Sequence, residues 1–176
     1  MNITSGKYKS RKLLTLKCSN VRPTLSKTRA AIFDILQQYV DFEASTFLDL
    51  FAGSGIMGLE ALSRNFKNVV AVEHDKKTYS FIKKNYELLG ENPNVFCSDS
   101  IKYLNSCCEK FDVIFVDPPY EAGLYDSVLQ IICEKKLLSD GGVIILEAPK
   151  SLNIEFSSFE ILKQKIYGDK LITFLR

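Results

Sequence analysis

The tetrapeptide Asp117-Pro118-Pro119-Tyr120 follows a run, Phe111 to Val116, that reads as a buried strand, and its residue types suit one difficult reaction. An exocyclic amine on a nucleobase, or a side-chain amide, is a poor nucleophile because its lone pair is delocalised into the adjoining π-system. A carboxylate and a backbone carbonyl that accept both of its N–H bonds hold the nitrogen nearer to tetrahedral and direct the lone pair at a methyl group. Asp117 and the carbonyl of Pro118 suit that role. Pro118 and Pro119 stiffen the turn and offer no N–H to compete for the acceptors, and the ring of Tyr120 can stack on a base withdrawn from its neighbours. The bland reading is a Pro-Pro turn with a capping Asp and an exposed Tyr, which the neighbouring acids disfavour.

Those acids surround a glycine loop. Residues 49 to 58 read Asp-Leu-Phe-Ala-Gly-Ser-Gly-Ile-Met-Gly, a G-x-G-x-x-G pattern between a strand and a helix. Gly53 and Gly55 permit a tight turn and close approach of a ligand to the backbone, and Glu73, at the end of the next strand, can accept both hydroxyls of a ribose. A nicotinamide or flavin dinucleotide satisfies that much. Charge separates the candidates: Asp49, Glu73, Asp99 and Asp117 stand at or just beyond the carboxyl ends of strands one to four, with no Lys or Arg from 49 to 58. A pyrophosphate would be repelled there. S-adenosylmethionine has no phosphate and carries a sulfonium and an ammonium, so carboxylates and the aromatic face of Phe51 suit it. Asp49 is then expected to orient the amino-acid end of the cofactor, Glu73 to bind the ribose, and Asp99 to accept from the adenine amino group, with Ser98 and Ser100 presenting backbone groups nearby. Asp99 suits the N-cap of the following helix equally well. Asp75 reads as a cap, and His74, the only histidine, as a surface or cofactor-edge residue.

The elements that position these groups alternate along the chain. A helix through Ala31, Ile32, Ile35, Leu36 and Tyr39 precedes strand Thr46 to Phe51, helix Ile56 to Arg64, strand Val69 to Glu73, helix Lys76 to Leu89 and strand Asn94 to Cys97. Helix Ile101 to Cys107, strand Val113 to Val116, a helix within Leu124 to Leu137 and strand Val143 to Glu147 continue the series. This predicts an α/β fold with a doubly wound, Rossmann-like parallel sheet that binds ligands at the carboxyl ends of its strands. Phe159 to Ile166 and Leu171 to Leu175 flank a Gly168-Asp169 turn and predict a closing antiparallel hairpin.

Composition bounds the rest. With 176 residues, 46% hydrophobic and 25% charged, the chain predicts a single domain spanning 1–176, and a monomer is expected. No apolar run approaches the roughly 18 residues of a membrane span, and Met1 to Leu16 lacks the apolar core of a signal peptide, so the cytoplasm is the expected location. Five cysteines, Cys18, Cys97, Cys107, Cys108 and Cys133, without a C-x-x-C pair suit neither a disulfide framework nor a zinc site. They are expected to be reduced and mostly buried, and no metal is expected. Without a G-x-S-x-G elbow, hydrolase readings are weak. Of the 23 basic residues, eight lie in residues 1–30 with no acid beside them, which leaves 15 against 21 acids in the remainder. An acidic body with a basic arm at 1–30 predicts a polyanionic partner, for which Lys9, Arg11 and Lys12 are candidates.

Together, Val21-Arg22-Pro23-Thr24, Phe47 to Gly55 with Gly58 to Arg64, and Asp117 to Tyr120 resemble the RsmD-type family of bacterial enzymes, in matching order over nearly the whole chain. The resemblance implies the class I S-adenosylmethionine-dependent methyltransferase fold and methylation of guanine N2 in small-subunit ribosomal RNA, with that RNA or the small ribosomal subunit as partner. It also implies that Arg22 and Thr24 lie near the cofactor and target base. Ala30 stands where the family often has an acid, and Ser10 where it usually has glycine. Adenine-N6 methylation of DNA, glutamine methylation of protein and a non-catalytic nucleic-acid-binding module are the alternatives. The first two resemble longer architectures, and the intact Asp117 opposes the last.

Overall fold

In the computed structural model, which describes residues 1–14, 26–92, 94–119 and 123–176, β/α units alternate through the chain as the sequence predicts. The elements are α1 (Ser26–Leu36), β1 (Thr46–Asp49), α2 (Ile56–Ser63), β2 (Asn68–Glu73), α3 (Lys76–Leu88), β3 (Val95–Cys97), α4 (Ser100–Ser106), β4 (Phe111–Val116), α5 (Tyr125–Glu134), β5 (Leu138–Pro149), β6 (Ile161–Tyr167) and β7 (Lys170–Leu175). The sheet order is β3-β2-β1-β4-β5-β7-β6, parallel from β3 to β5 and antiparallel where β7 pairs with β5 and β6. Strand order therefore reverses between β1 and β4, and the crevice opens at that point.

Both faces of the sheet are covered, which is why its central strands read as unbroken apolar runs. Phe47, Val69, Ala71, Val113, Phe115, Val143, Ile145 and Ile172 face one core with α1, α2 and α3; Leu48, Val70, Val72, Ile114, Val116 and Ile144 face the other with α4 and α5. Below α1, the rings of Phe42 and Phe66 stack at 4.6 Å. Among the described residues no helix is long and apolar enough to cross a membrane.

Three expectations change. Strand five starts at Leu138 rather than Val143, because Leu138 pairs with Phe111 ahead of a register shift and regular pairing resumes at Val143. Cys97, Cys108 and Cys133 are exposed and only Cys107 is buried, since the first three lie on an edge strand, in a loop and on the outer face of α5; Cys18 lies outside the described residues. The start of the chain is not a free arm. Residues 1–14 fold back through an Asn2–Lys12 bridge, bury Ile3 and Leu13 and dock on α2, where the Lys7 amide donates to the Ser63 carbonyl at 2.7 Å.

The docking is polar and buried. Glu60 on α2, fully buried, accepts from the Thr4 amide (2.9 Å) and hydroxyl, the Ser5 amide (3.1 Å), Arg29 Nε (3.1 Å) and Arg64 Nε (3.2 Å). Arg29 also donates to the Asn2 carbonyl at 2.7 Å. Two of the eight cations counted toward a polyanion are thus committed elsewhere: Arg29 is buried against Glu60, and Lys7 pairs with Glu91 at 2.7 Å.

Candidate active site

Alternation along a strand puts every second side chain on one face, and this aligns the acids. Phe47, Ala71, Phe115 and Ile145 face the α1–α3 core. Asp49, Glu73, Asp117 and Glu147, each two residues further on, fall on that same face: Asp49 and Glu73 end β1 and β2, Asp117 follows β4, and Glu147 lies two residues before the end of β5. Asp49 pairs in register with Ala71 and Phe115, and Phe115 with Ile145, so Glu73, Asp117 and Glu147 form a row at one level of the sheet and Asp49 stands one side-chain step below it on the same face. Lys170, at the start of β7, closes the row beside Glu147.

Each carboxylate is held. Asp49 is 1% exposed and its Oδ2 accepts the Gly58 amide of α2 at 2.9 Å. Glu73 accepts the Gly53 amide through Oε2 and the Asp75 amide through Oε1, both at 2.8 Å. Its two oxygens thereby fix the glycine turn and the entry to α3, and a carboxylate with about four lone-pair sites keeps acceptor capacity beyond those bonds. Gly55 caps α2 with φ of 74°; a Cβ there would meet the Ile82 side chain at 2.9–3.0 Å, so the turn packs against α3 only without one. The Ser100 hydroxyl donates to the Leu50 carbonyl at 2.7 Å and ties α4 to the same turn.

Burial raises the charge state of the row to a question of energetics. Loss of solvent, with Asp117 and Glu73 nearby, pushes the Asp49 carboxyl up to about 7 against the pull of the Gly58 amide. Desolvation likewise pushes Asp117 up to about 6, with the Lys170 ammonium, 4.0 Å from Oδ2, holding it down. The site is therefore rich in carboxyl groups, sparsely solvated, and built around a turn whose Gly53 amide already serves Glu73 and whose residues carry no cation. It fits a ligand with positive charge and no phosphate, as S-adenosylmethionine has, and disfavours a diphosphate.

The remaining candidates divide. Phe51 is half-buried against the α4–α5 core rather than on the face of the carboxylates, so its side chain stands at the margin of the row. Asp99 caps α4, accepting the Lys102 amide at 2.9 Å; Ser98 donates its amide to the Glu73 carbonyl at 3.1 Å, which sets the pair beside Glu73. Asp75 caps α3 through the Thr78 amide, and His74 lies exposed, its Nδ1 3.2 Å from Glu73. Pro118 is buried and Pro119 exposed. Tyr120, Arg22 and Thr24 lie outside the described residues. Lys9, Arg11 and Lys12 are exposed on the N-terminal hairpin, whose tip meets the last turn of α2. That is the end of α2 opposite the glycine loop, about 12 Å lower for eight residues. Sequence reasoning missed Glu147 and Lys170. Glu147 carried a visible signal, as a fourth acid ending a central strand; Lys170 carried none, because only the β5–β7 register brings it there.

A family model described as Conserved hypothetical protein 95 matches residues 1–176. Ribosomal RNA small subunit methyltransferase D of Buchnera aphidicola from Acyrthosiphon pisum is 34% identical, covering 93% of this chain and 86% of its own. The protein of the same name from Haemophilus influenzae is 33% identical over 96% of this chain and 89% of its own. The solved structure of yhhF from Escherichia coli, a proposed methyltransferase, superposes with a TM-score of 0.87 at 26% identity, covering 99% and 96% of the two chains.

Proposed function

The chain belongs to the Conserved hypothetical protein 95 family over its full length, and on that premise we propose that it transfers a methyl group from S-adenosylmethionine to N2 of a guanine in small-subunit ribosomal RNA. The relatives that bear the name of a small-subunit ribosomal RNA methyltransferase support the RNA and the reaction. The observation that carries the chemistry is the row itself: Asp49 and Glu73 on one side of the β1–β4 crevice and Asp117, less enclosed, on the other.

Asp49, Glu73 and the Gly53–Gly55 turn would hold the cofactor, with Ser98 and Asp99 at its adenine end. When bound, it supplies a methyl group on a sulfonium, which departs as a neutral thioether keeping the C–S bonding pair. Asp117 and the Pro118 carbonyl accept the two N–H bonds of the guanine amine and turn its lone pair toward the methyl carbon. As the new N–C bond forms, positive charge develops on nitrogen beside the Asp117 carboxylate, and one amine proton then leaves to solvent. A carboxylate that meets developing charge in a sparsely solvated site is worth more there than in water. Tyr120 stacks on the withdrawn base, Arg22 and Thr24 approach it, and Lys9, Arg11 and Lys12 contact phosphates further along the RNA. We take the enzyme to be one domain acting as a monomer in the cytoplasm, where its substrate is made.

Incubation with methyl-labelled cofactor and small-subunit particles, naked ribosomal RNA or DNA tests the reading. Label in the ribosomal RNA of either form is expected; label confined to DNA, or in none of them, overturns it.

A further inference from the structure

The Lys170 ammonium sits at a junction that the reaction above leaves unassigned. It lies at the first position of β7, after the Gly168-Asp169 turn, with its side chain 11% exposed. It is ion-paired with the carboxylate of Glu147, which is fully buried on β5, and its Nζ is 4.0 Å from Asp117 Oδ2. Pro149 pairs with Lys170 and Glu147 with Ile172 across β5 and β7, so the contact is the diagonal one that a long side chain spans on one face of an antiparallel pair. The β5 backbone is pinned as well: the Tyr125 hydroxyl of α5 donates to the Glu147 carbonyl at 3.3 Å. The ammonium is thus held by a rigid clamp built from β5, β7 and α5, and reaches the one carboxylate that the reaction needs as an acceptor.

We propose that Lys170, clamped by Glu147, is a positioning residue that keeps Asp117 ionised and oriented, so that its oxygens accept from the target amine instead of one of them carrying a proton. This rests on the methyl-transfer reading and deepens it. The surroundings of Asp117 set the need. Among the described residues, Asp49 at the end of β1, Glu73 at the end of β2 and Glu147 on β5 are all acids, and Lys170 is the cation that lies against Glu147 and Asp117. Burial alone favours the protonated carboxyl, and the ammonium opposes it. A protonated Asp117 would present an O–H donor to an amine that also donates, and would meet the positive charge developing on nitrogen with no negative charge. The clamp also gives Glu147 a purpose beyond pairing: it fixes where the ammonium stands, so that Lys170 acts on Asp117 without moving into the space of the base.

The test follows the titration of Asp117 and the pH profile of transfer together. Carbon-13 NMR of labelled aspartate carboxyls in the ligand-free protein, with the Asp117 signal identified by its loss in Asp117→Asn, reads the charge state without turnover. In Lys170→Met the midpoint of Asp117 is expected to rise by about one unit or more, the usual effect of removing an opposite charge at this range. The acidic limb of the transfer rate is expected to rise with it, so that activity falls about two- to tenfold at pH 7 and recovers toward wild type at pH 9. Lys170→Arg keeps the charge and is expected to restore the wild-type limb. Because Lys170→Met leaves the Glu147 charge buried, the double variant Lys170→Met with Glu147→Gln provides a folded background that still lacks the ammonium, and the same upward shift is expected in it. An Asp117 midpoint unchanged in both variants, or a rate lowered equally at every pH, overturns the proposal and makes Lys170 a strand clamp only. Failure of the wild-type protein to methylate ribosomal RNA overturns the parent reading instead, and the NMR midpoint separates the two failures.

Discussion

Replacing Asp49 by Asn should stabilise the ligand-free protein at neutral and alkaline pH while weakening its hold on the cofactor. Asp49 is buried and its carboxyl is pushed from 3.8 up to about 7, so the native state resists its ionisation. The direction follows from linkage. A carboxyl with a native value above its unfolded value contributes full stability below about pH 4, and that contribution is lost as pH rises toward 7. About three units at 1.36 kcal/mol each make the whole loss about 4 kcal/mol, of which about 3 kcal/mol falls between pH 4.5 and pH 8. Asn has no proton to lose and still presents an oxygen to the Gly58 amide. Urea unfolding of both proteins at the two pH values should therefore show the variant gaining on wild type by about 3 kcal/mol between them. Titration calorimetry with S-adenosylmethionine should show wild-type affinity rising as pH passes 7, with Asn weaker at pH 8. A stability difference that stays the same at both pH values, or an Asn variant that binds the cofactor as tightly, refutes the reasoning that the carboxylate is kept charged against burial for the sake of a cationic ligand.

Further outcomes concern the start of the chain. Gly6 has φ of 82° and a Cβ there would overlap the Ser63 carbonyl, so Gly6→Ala should cost about 2–3 kcal/mol in urea unfolding; Ser10, at φ of 66°, should gain about 1 kcal/mol as Ser10→Gly. Equal effects of one sign at both positions would contradict the hairpin geometry. Arg29→Met, which leaves the buried Glu60 carboxylate with the Arg64 guanidinium alone, should cost about 2–3 kcal/mol, and adding Glu60→Gln should recover part of it; a single variant as stable as wild type would show that the cluster does not hold the hairpin. Changing Lys9, Arg11 and Lys12 to Ala should weaken RNA binding and lower the slope of log affinity against log salt by about 2, whereas an unchanged slope would remove these residues from the RNA path.

The parts of this molecule that were legible in its sequence are those whose causes are local. Short unbroken apolar runs ending in an acid located β1, β2 and β4 together with Asp49, Glu73 and Asp117, because a strand end and the face of its last residue are both set within a few residues. The Gly53–Gly55 turn and the Asp75 cap were legible for the same reason. What stayed hidden depends on contacts distant in the chain. Arg29 counted as a free cation until Glu60, 31 residues away, claimed it. Ile3 and Leu13 are two apolar residues in a basic segment without period, so their burial under a docked hairpin left no pattern. Lys170 reaches Asp117 only through the register of an antiparallel pair. Cys97, Cys108 and Cys133 were misplaced because hydrophobic character argues for burial but cannot say which face of a strand or helix is covered.

The central claim is that Asp117 makes the amine of one ribosomal guanine reactive toward a methyl group held by the acids beside it. Mass mapping of modified nucleotides in small-subunit ribosomal RNA from cells with the gene, without it, and with Asp117→Ala in its place tests this most directly. Loss of one charge-assisted hydrogen bond worth about 1.5–3 kcal/mol slows transfer by about ten- to a hundredfold. One N2-methylguanosine should therefore vanish without the gene and return poorly with the variant. An unchanged RNA map, or full restoration by Asp117→Ala, would contradict the account.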